Sequence, residues 1–236
     1  MSTTTLNDPA SWSKPDPMSD PKSLERGFRS KRFAHVRELI EASVARTGRA
    51  DILDLGGTES YWVIGADYLK SLGDRVSITM VNNEEAPDAV GAQFTNILGD
   101  GCAPDLFAGR QFDIVHSNSV IEHVGERDKM KAFADNVRRL GRNYYVQTPN
   151  YWFPLEPHFR VVGFQYLPLA VRAGLMRRFN IGFFPRAKTA EEAWDNVREV
   201  RLLDRRMMRE FFPDADIRME KVAGLNKSIM AVKRAD

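Results

Sequence analysis

The sequence predicts an α/β protein in which helices cover both faces of a mostly parallel sheet and an antiparallel hairpin completes the sheet. Between residues 52 and 147, short apolar strand patterns alternate with helical patterns, which is typical of parallel strands joined by right-handed crossovers. Near the C-terminus, the strand patterns 216–222 and 228–232 are separated by a short turn. Such a turn cannot hold a crossover, so these two strands must be antiparallel.

The chain begins with a polar stretch and then becomes helical. Residues 1–22 are rich in Ser, Thr, Pro and Asp, so we expect a disordered tail. Residues 23–236 are expected to form a single domain. Its first helix is predicted from residue 23 to about residue 47, where Gly48 ends it. Four apolar residues are at helical spacing in this stretch: Phe33, Val36, Ile40 and Val44.

The other elements follow in order along the chain. Strands are predicted at residues 52–55, 76–81, 94–98, 112–116 and 143–147. Helices are predicted at 61–72, 129–140 and 202–212. The segment 151–200 is expected to be a helical and aromatic cap inserted into the domain.

Composition restricts the class of protein. The net charge of +2 argues against a dedicated nucleic-acid binder, for which a strongly basic face is expected. The single cysteine, Cys102, excludes an intrachain disulfide and fits a reducing compartment. No apolar run approaches the about 18 residues of a transmembrane helix, and the polar N-terminus is unlike a secretory signal. We therefore expect a cytoplasmic protein.

The turn after the first strand has the features of a nucleotide-binding corner. Residues 52–55 are apolar apart from Asp54, and Gly56 and Gly57 then let the backbone turn sharply. Thr58 and the residues after it are suited to capping a helix. A strand, a glycine turn and a helix N-terminus form the ligand-binding corner of many open α/β sheets.

Five ordered segments resemble the class I S-adenosylmethionine-dependent methyltransferases, particularly their bacterial small-molecule branch. The segments are residues 52–57, 82–85, 99–101, 112–124 and 145–150. The run 112–124 is the most specific, because it matches in both order and residue type. The resemblance spans residues 30–232 and implies a Rossmann-like sheet of seven strands that ends in an antiparallel hairpin. It also implies S-adenosylmethionine as the cofactor and S-adenosylhomocysteine as the product.

The resemblance implies a role for the glycine turn. Asp54 would lie beside the methionine amino group, directly or through water. Gly56 and Gly57 would let the backbone come within van der Waals reach of the ligand. Thr58 belongs to the same turn, but Thr58 and Ser60 stand where the family commonly has further glycines.

The next two segments would hold the nucleoside. Asn82 stands where a carboxylate normally binds the ribose hydroxyls, and Glu84 follows two residues later. Asp100 would accept a hydrogen bond from the adenine amino group, with the backbones of Gly101 and Cys102 facing the ring. An ordinary Asn-rich turn, and a turn aspartate between glycines, are the structural alternatives.

The fourth strand supplies further candidates. Ser117 and Asn118 emerge at its carboxyl end, where open α/β sheets place their ligands, and we expect them in the cofactor site. Glu122 and His123 follow in the next loop. His123 is a conceivable base, but this Glu-His pair occurs in family members with unlike substrates, which favours a loop-bracing role.

The stretch after the fifth strand is the most individual part of the chain. Residues 159–186 contain five arginines and no acidic residue, interleaved with six aromatic residues. In the family this region covers the methyl donor, so it would shape the acceptor site. An apolar, arginine-bearing cover suits a small-molecule, glycan-like or lipid-like acceptor that is anionic or partly apolar. The alternative is a helical cap that packs on its own aromatic residues.

Methyl transfer from a sulfonium chiefly needs proximity and alignment, but an oxygen acceptor usually also needs a base. His158 is the candidate base, and Glu156 is its orienting group or substitute. The alternative for His158 is a buried, hydrogen-bonded structural histidine. No metal-binding pattern stands out, because the four histidines are scattered along the chain.

Two other functions stay open. The first is an NAD(P)-dependent oxidoreductase on a similar sheet, although residues 56–60 lack the Gly-x-Gly-x-x-Gly spacing that a pyrophosphate needs. The second is a non-catalytic module that keeps the fold and binds a partner through the basic, aromatic insertion.

Overall fold

The computed structural model describes residues 24–85, 89 and 91–235. These residues form a seven-stranded sheet with the strand order β3-β2-β1-β4-β5-β7-β6. The strands are β1 (Ala50–Leu55), β2 (Val76–Asn82), β3 (Phe94–Leu98), β4 (Phe112–Asn118), β5 (Gly141–Pro149), β6 (Asp216–Val222) and β7 (Leu225–Lys233).

The hairpin sets this sheet apart from an all-parallel one. β7 lies between β5 and β6 and is antiparallel to both, whereas the other neighbouring strands run parallel. The predicted fold class is therefore confirmed: a Rossmann-like, mostly parallel sheet with the terminal hairpin that the methyltransferase resemblance implied. The predicted tail, residues 1–22, lies outside the described residues.

Seven α-helices are present in the described part of the chain. They are α1 (Leu24–Thr47), α2 (Glu59–Trp62), α3 (Ala66–Leu72), α4 (Arg127–Leu140), α5 (Leu169–Met176), α6 (Ala190–Arg198) and α7 (Arg205–Phe211). Within the described ranges, no helix has the length and apolar character needed to cross a bilayer.

The helix expected at 61–72 is divided into α2 and α3 by the 3₁₀ turn Val63–Gly65. Gly65 explains the break, because a Cβ atom there would lie 2.2 Å from the ring of Phe33 in α1. Only glycine permits so close an approach, and glycine in turn weakens a helix. The last helix begins later than expected, at Arg205, because Asp204 caps it by accepting a hydrogen bond from the backbone N–H of Met207.

The sheet separates two apolar cores. Leu53, Leu55 and Val115 point to the face covered by α4 and α7. Ile52 and Ile114 point to the opposite face, which α1, α2 and α3 cover. Central strands buried on both faces are typical of a parallel sheet, and they explain the continuous apolar pattern of these strands.

The segment between β5 and α7 has an apolar cluster of its own. It contains the helices α5 and α6, which contact each other. Phe159 stacks on Phe184 with ring centroids 4.8 Å apart, and Phe164 packs against Phe159 at 4.4 Å. Several aromatic residues of the arginine-rich stretch therefore pack inside this segment.

Candidate functional site

The glycine turn after β1 is shaped by close contacts. Gly56 has a φ of +73°, and its N–H donates to Val81 O at 2.8 Å. A Cβ at Gly56 would lie 2.6 Å from the methyl groups of Val120. A Cβ at Gly57 would lie 1.7 Å from Asp54 Oδ2. Both positions therefore require glycine, so that the turn can close over Asp54 and against the loop after β4.

Asp54 is fully buried, and both of its carboxylate oxygens have partners. Its Oδ1 lies 2.7 Å from His116 Nδ1, and its Oδ2 accepts a hydrogen bond from Trp62 Nε1 at 2.8 Å. The His116 ring stacks on Tyr145 with centroids 5.5 Å apart. The hydrogen bonds of the Asp54 carboxylate thus connect β1 to α2 and to β4. A carboxylate has about four acceptor positions, so these two bonds do not exhaust it.

The end of β2 lies against the glycine turn. Asn82 donates through Nδ2 to Gly57 O at 2.9 Å, which places its amide at the corner where a ribose was expected. Thr58 is the N-cap of α2, but its hydroxyl bonds that of Ser60 at 2.7 Å and does not cap the helix. Glu84 is exposed.

The turn after β3 is held by its own hydrogen bonds. Asp100 accepts a bond from the N–H of Cys102 at 2.8 Å. Asn136 in α4 donates to Gly101 O and to Ala103 O, both at 2.8 Å. The Cys102 side chain is buried, and burial raises its pKa to about 11, so the thiol is neutral at ordinary pH.

The carboxyl end of β4 adjoins that of β1. Ser117 is buried and donates to Leu55 O at 3.0 Å. Asn118 Oδ1 is buried without a hydrogen-bond partner among the described residues. Ser119 follows in the left-handed region, with a φ of +57°, and bonds Gln147 at the end of β5. The predicted cofactor residues at the ends of β1, β2 and β4 therefore meet at one edge of the sheet.

Four side chains meet beyond the ends of β4 and β5: Glu122, His123, Glu156 and His158. His158 Nδ1 lies 2.8 Å from Glu156 Oε1, and its Nε2 lies 3.2 Å from His123 Nε2. Glu122 is fully buried; its Oε2 accepts from Thr148 at 2.9 Å, and its Oε1 has no partner within the described chain. We name Glu122, His123 and His158 the histidine cluster.

The surroundings shift the pKa values of this cluster. Burial raises the pKa of Glu122 to about 7. Burial lowers the pKa of His158, but the hydrogen bond and charge of Glu156 outweigh this effect, and the net pKa is raised. Part of the His123 side chain is exposed, but packing around its ring and the charge of His158 lower its pKa.

Sequence reasoning did not single out the histidine cluster, because His123 and His158 are 35 residues apart. The predicted strand positions nevertheless gave one indication that the two histidines could meet. Both histidines lie beyond the ends of β4 and β5, which are neighbours in the sheet. Parallel neighbouring strands end at the same edge, so loops that follow them can meet.

A cavity of about 190 Å³ lies beside this cluster, within the segment between β5 and α7. Glu156, Tyr151, Arg172 and Arg201 are among its lining residues. Arg172 is half-buried; its Nε has no hydrogen-bond partner in the described structure, and its Nη2 reaches Val197 O only at 3.4 Å. Three arginines, Arg172, Arg198 and Arg201, and one carboxylate, Glu156, line the cavity, so basic side chains outnumber acidic ones there.

The strand order and the reversed β7 are those of the fold of the class I methyltransferases, and the glycine turn lies at the edge where ligands of open α/β sheets bind. No family model matches the sequence. An uncharacterized protein found in two strains of Mycobacterium tuberculosis is 36% identical over 62 residues. This match covers 26% of the chain and only 21% of the relative, so the whole relative is much longer than the stretch they share.

Solved structures with similar folds have low sequence identity. An O-methyltransferase family protein from Burkholderia thailandensis has a TM-score of 0.46 at 11% identity, over 92% of this chain and 61% of that one. Magnesium protoporphyrin IX methyltransferase from Synechocystis, with bound S-adenosylhomocysteine, has a TM-score of 0.45 at 14% identity. The match covers 87% of this chain and 84% of that one. A putative zinc-dependent alcohol dehydrogenase from Rhodobacter sphaeroides has a TM-score of 0.44 at 14% identity. The match covers 79% of this chain and 84% of that one. The fold is defined by the order and direction of its strands.

Proposed function

We propose that the chain is an S-adenosylmethionine-dependent methyltransferase that acts on an oxygen atom of a small, glycan-like or lipid-like acceptor. The observation that carries this proposal is the meeting of Gly57, Asn82 and Ser117 at the carboxyl edge of a sheet with a reversed β7. Ligands of open α/β sheets bind at this edge.

The cofactor would lie across the ends of β1, β2, β3 and β4. Asn82 would bind the ribose with Glu84 nearby, and the turn at Asp100, Gly101 and Cys102 would border the adenine. The unpartnered Oδ1 of Asn118 supports a ligand on this side, because buried polar atoms normally have a hydrogen-bond partner. The binding site for the methionine part of the cofactor would be completed by Asp54, Gly56, Thr58 and Ser117.

Titration calorimetry tests the cofactor. We expect S-adenosylmethionine and S-adenosylhomocysteine to bind with micromolar affinity and NADP not to bind. Binding of NADP alone would favour an oxidoreductase. If none of the three bound, the chain would be a module that keeps the fold without the cofactor.

The acceptor would be activated by His158. Its Nδ1 is hydrogen-bonded to Glu156, and its Nε2 contacts His123 Nε2 at 3.2 Å, so an acceptor hydroxyl would take the place of His123 at this nitrogen. A histidine oriented by a carboxylate is a common arrangement for proton abstraction. Glu156 is itself held in place, because it accepts a hydrogen bond from the backbone N–H of Phe159.

The cavity beside Glu156 would bind an anionic group of the acceptor. Its volume of about 190 Å³ is below the about 300 Å³ at which small-molecule sites commonly begin, so it would hold only part of a ligand. Arg172 lines this cavity, and its Nε has no hydrogen-bond partner in the described structure. A guanidinium binds carboxylate or phosphate oxygens through paired hydrogen bonds.

The acceptor roles can be tested once a substrate is found by screening extracts with a labelled methyl donor. His158→Ala should lower kcat and leave the affinity for S-adenosylmethionine unchanged. Arg172→Met should raise the KM for the acceptor without changing donor affinity. His35→Ala is the matched control, because His35 contacts Arg218 in β6, away from the histidine cluster. Full activity of the His158 variant would remove His158 from the mechanism.

A further inference from the structure

The histidine cluster has the chemistry of a metal site. Its two imidazole nitrogens and one carboxylate oxygen all lie within 4.8 Å of one another. Two histidines and one carboxylate are the protein ligands of several catalytic zinc sites and of non-haem iron sites. The two histidines contact each other through their Nε2 atoms, although the three residues come from two separate loops.

The distance between the two nitrogens fits a shared cation. Zinc–nitrogen bonds of about 2.0–2.1 Å, at ligand angles between octahedral and tetrahedral, put two nitrogens about 2.9–3.4 Å apart. His123 Nε2 and His158 Nε2 are 3.2 Å apart. Glu156 bonds the other nitrogen of His158, as carboxylates do behind many metal-bound histidines, and this bond leaves the Nε2 lone pair facing His123.

Glu122 gives an independent indication of a ligand. Its carboxyl group is fully buried, yet Oε1 has no hydrogen-bond partner in the described part of the chain. A buried carboxyl oxygen without a partner is costly, and a bound cation would remove this cost. Thr148 holds the other oxygen at 2.9 Å and so fixes the group in place.

We propose that Glu122, His123 and His158 bind one divalent transition-metal cation. Imidazole ligands favour zinc, cobalt, nickel or iron over magnesium and calcium, which prefer oxygen. Three protein ligands leave at least one coordination position open. His123 is exposed, so the cluster is not sealed from solvent.

The use of this cation in methyl transfer rests on the proposed function. Val120 touches the glycine turn, and Glu122 follows it by two residues, so the cation would lie near the methyl donor. A hydroxyl of the acceptor that bound at the open position would have a lowered pKa and would give its proton to water. The oxygen–methyl bond then forms as the sulfur–methyl bond breaks, and the electron pair stays on sulfur. With the cation bound, it would take over the activation of the hydroxyl that the preceding proposal gives to His158, and His158 would act as its ligand.

Titration of the metal-free full chain with Co²⁺ tests the site, with calorimetry and visible absorption as the two readouts. We expect one Co²⁺ per chain, d–d bands typical of a site below six-coordination, and displacement by Zn²⁺. His123→Ala should weaken Co²⁺ binding at least 10-fold and change the bands. This residue lies partly at the surface, so the variant should fold. Glu122→Gln keeps the shape of the buried side chain and should also weaken binding.

The control is His35→Ala, which removes a histidine outside the cluster and should bind Co²⁺ like the unchanged protein. Absence of stoichiometric Co²⁺ binding, or equal binding by the unchanged protein and His123→Ala, would overturn the proposal. S-adenosylmethionine binding is measured on the same samples. Cofactor binding without Co²⁺ binding refutes the metal site alone, and Co²⁺ binding without cofactor binding refutes the proposed function alone.

Discussion

Substitution of Asp54 tests whether one buried carboxylate serves both the fold and the cofactor site. In Asp54→Ala, His116 Nδ1 and Trp62 Nε1 lose the oxygens that they contact at 2.7 and 2.8 Å. Leaving a buried donor unsatisfied costs about 1–3 kcal/mol, so two of them predict a loss of about 2–6 kcal/mol in the free energy of unfolding. Removal of the buried charge offsets part of this loss, so we expect the lower half of that range.

Urea unfolding followed by circular dichroism measures the change. Trp62→Phe is the matched variant, because it removes one donor and keeps an aromatic ring in the core. The double variant Asp54→Ala/Trp62→Phe then gives the coupling between the two side chains, which should be about 0.5–3 kcal/mol. No coupling, together with a stability loss below about 0.5 kcal/mol, would refute the hydrogen-bond argument.

Cofactor binding by the folded Asp54→Ala variant gives the second readout. If Asp54 also receives the methionine amino group, affinity for S-adenosylmethionine should fall at least about 10-fold, or about 1.4 kcal/mol. A variant that is less stable but binds the cofactor normally would show that Asp54 is structural only. The structure makes this separation necessary, because both carboxylate oxygens already serve the fold.

Three further substitutions have expected outcomes that stability measurements check. Gly56→Ala should destabilise the fold by more than about 1 kcal/mol, because the φ of +73° and the contact with Val120 both oppose a Cβ; an unchanged urea midpoint would contradict this. Phe33→Ala should cost about 3–5 kcal/mol through the cavity that it leaves, and a cost below about 1 kcal/mol would show that the core repacks. Asp214→Asn should be destabilising near pH 7. Burial raises the pKa of Asp214, but hydrogen bonds from Tyr144 and neighbouring cations outweigh it and lower the pKa to about 2. Its stabilising effect is therefore complete above the unfolded pKa near 4 and is lost as pH falls toward 2, so a constant difference between pH 7 and pH 3 would be inconsistent with it.

Much of the sheet could be predicted from local patterns. Residues 94–98 were predicted with the bounds that the structure has, and the first helix was placed within one residue of its N-terminus. Strands β1, β4 and β5 extend beyond their predicted ends, because terminal residues such as Ala50 pair in the sheet without a strong apolar pattern. The split between α2 and α3 was missed, since it depends on Phe33, which is distant in sequence.

The site was only partly accessible to sequence reasoning. The resemblance assigned Asn82 to the ribose site, and the rule for strand ends put Ser117 in the cofactor site. In the structure Asn82 contacts Gly57 and Ser117 contacts Leu55, which precedes the glycine turn. The resemblance could not show that Asp54 is held by Trp62 and His116. Those contacts depend on the direction in which α2 leaves the turn and on the pairing of β1 with β4.

The sequence by itself determined the alternation of strands and helices, the reversed final hairpin and the glycine turn. These features follow from local rules: apolar periodicity, the conformational freedom of glycine and the limits of a short connection. Only the tertiary structure decided that His123 and His158 meet and that Glu122 is buried beside them. Their meeting depends on strand order and on the paths of two loops. Contacts between residues so far apart in the sequence produce no periodic pattern from which they could be predicted.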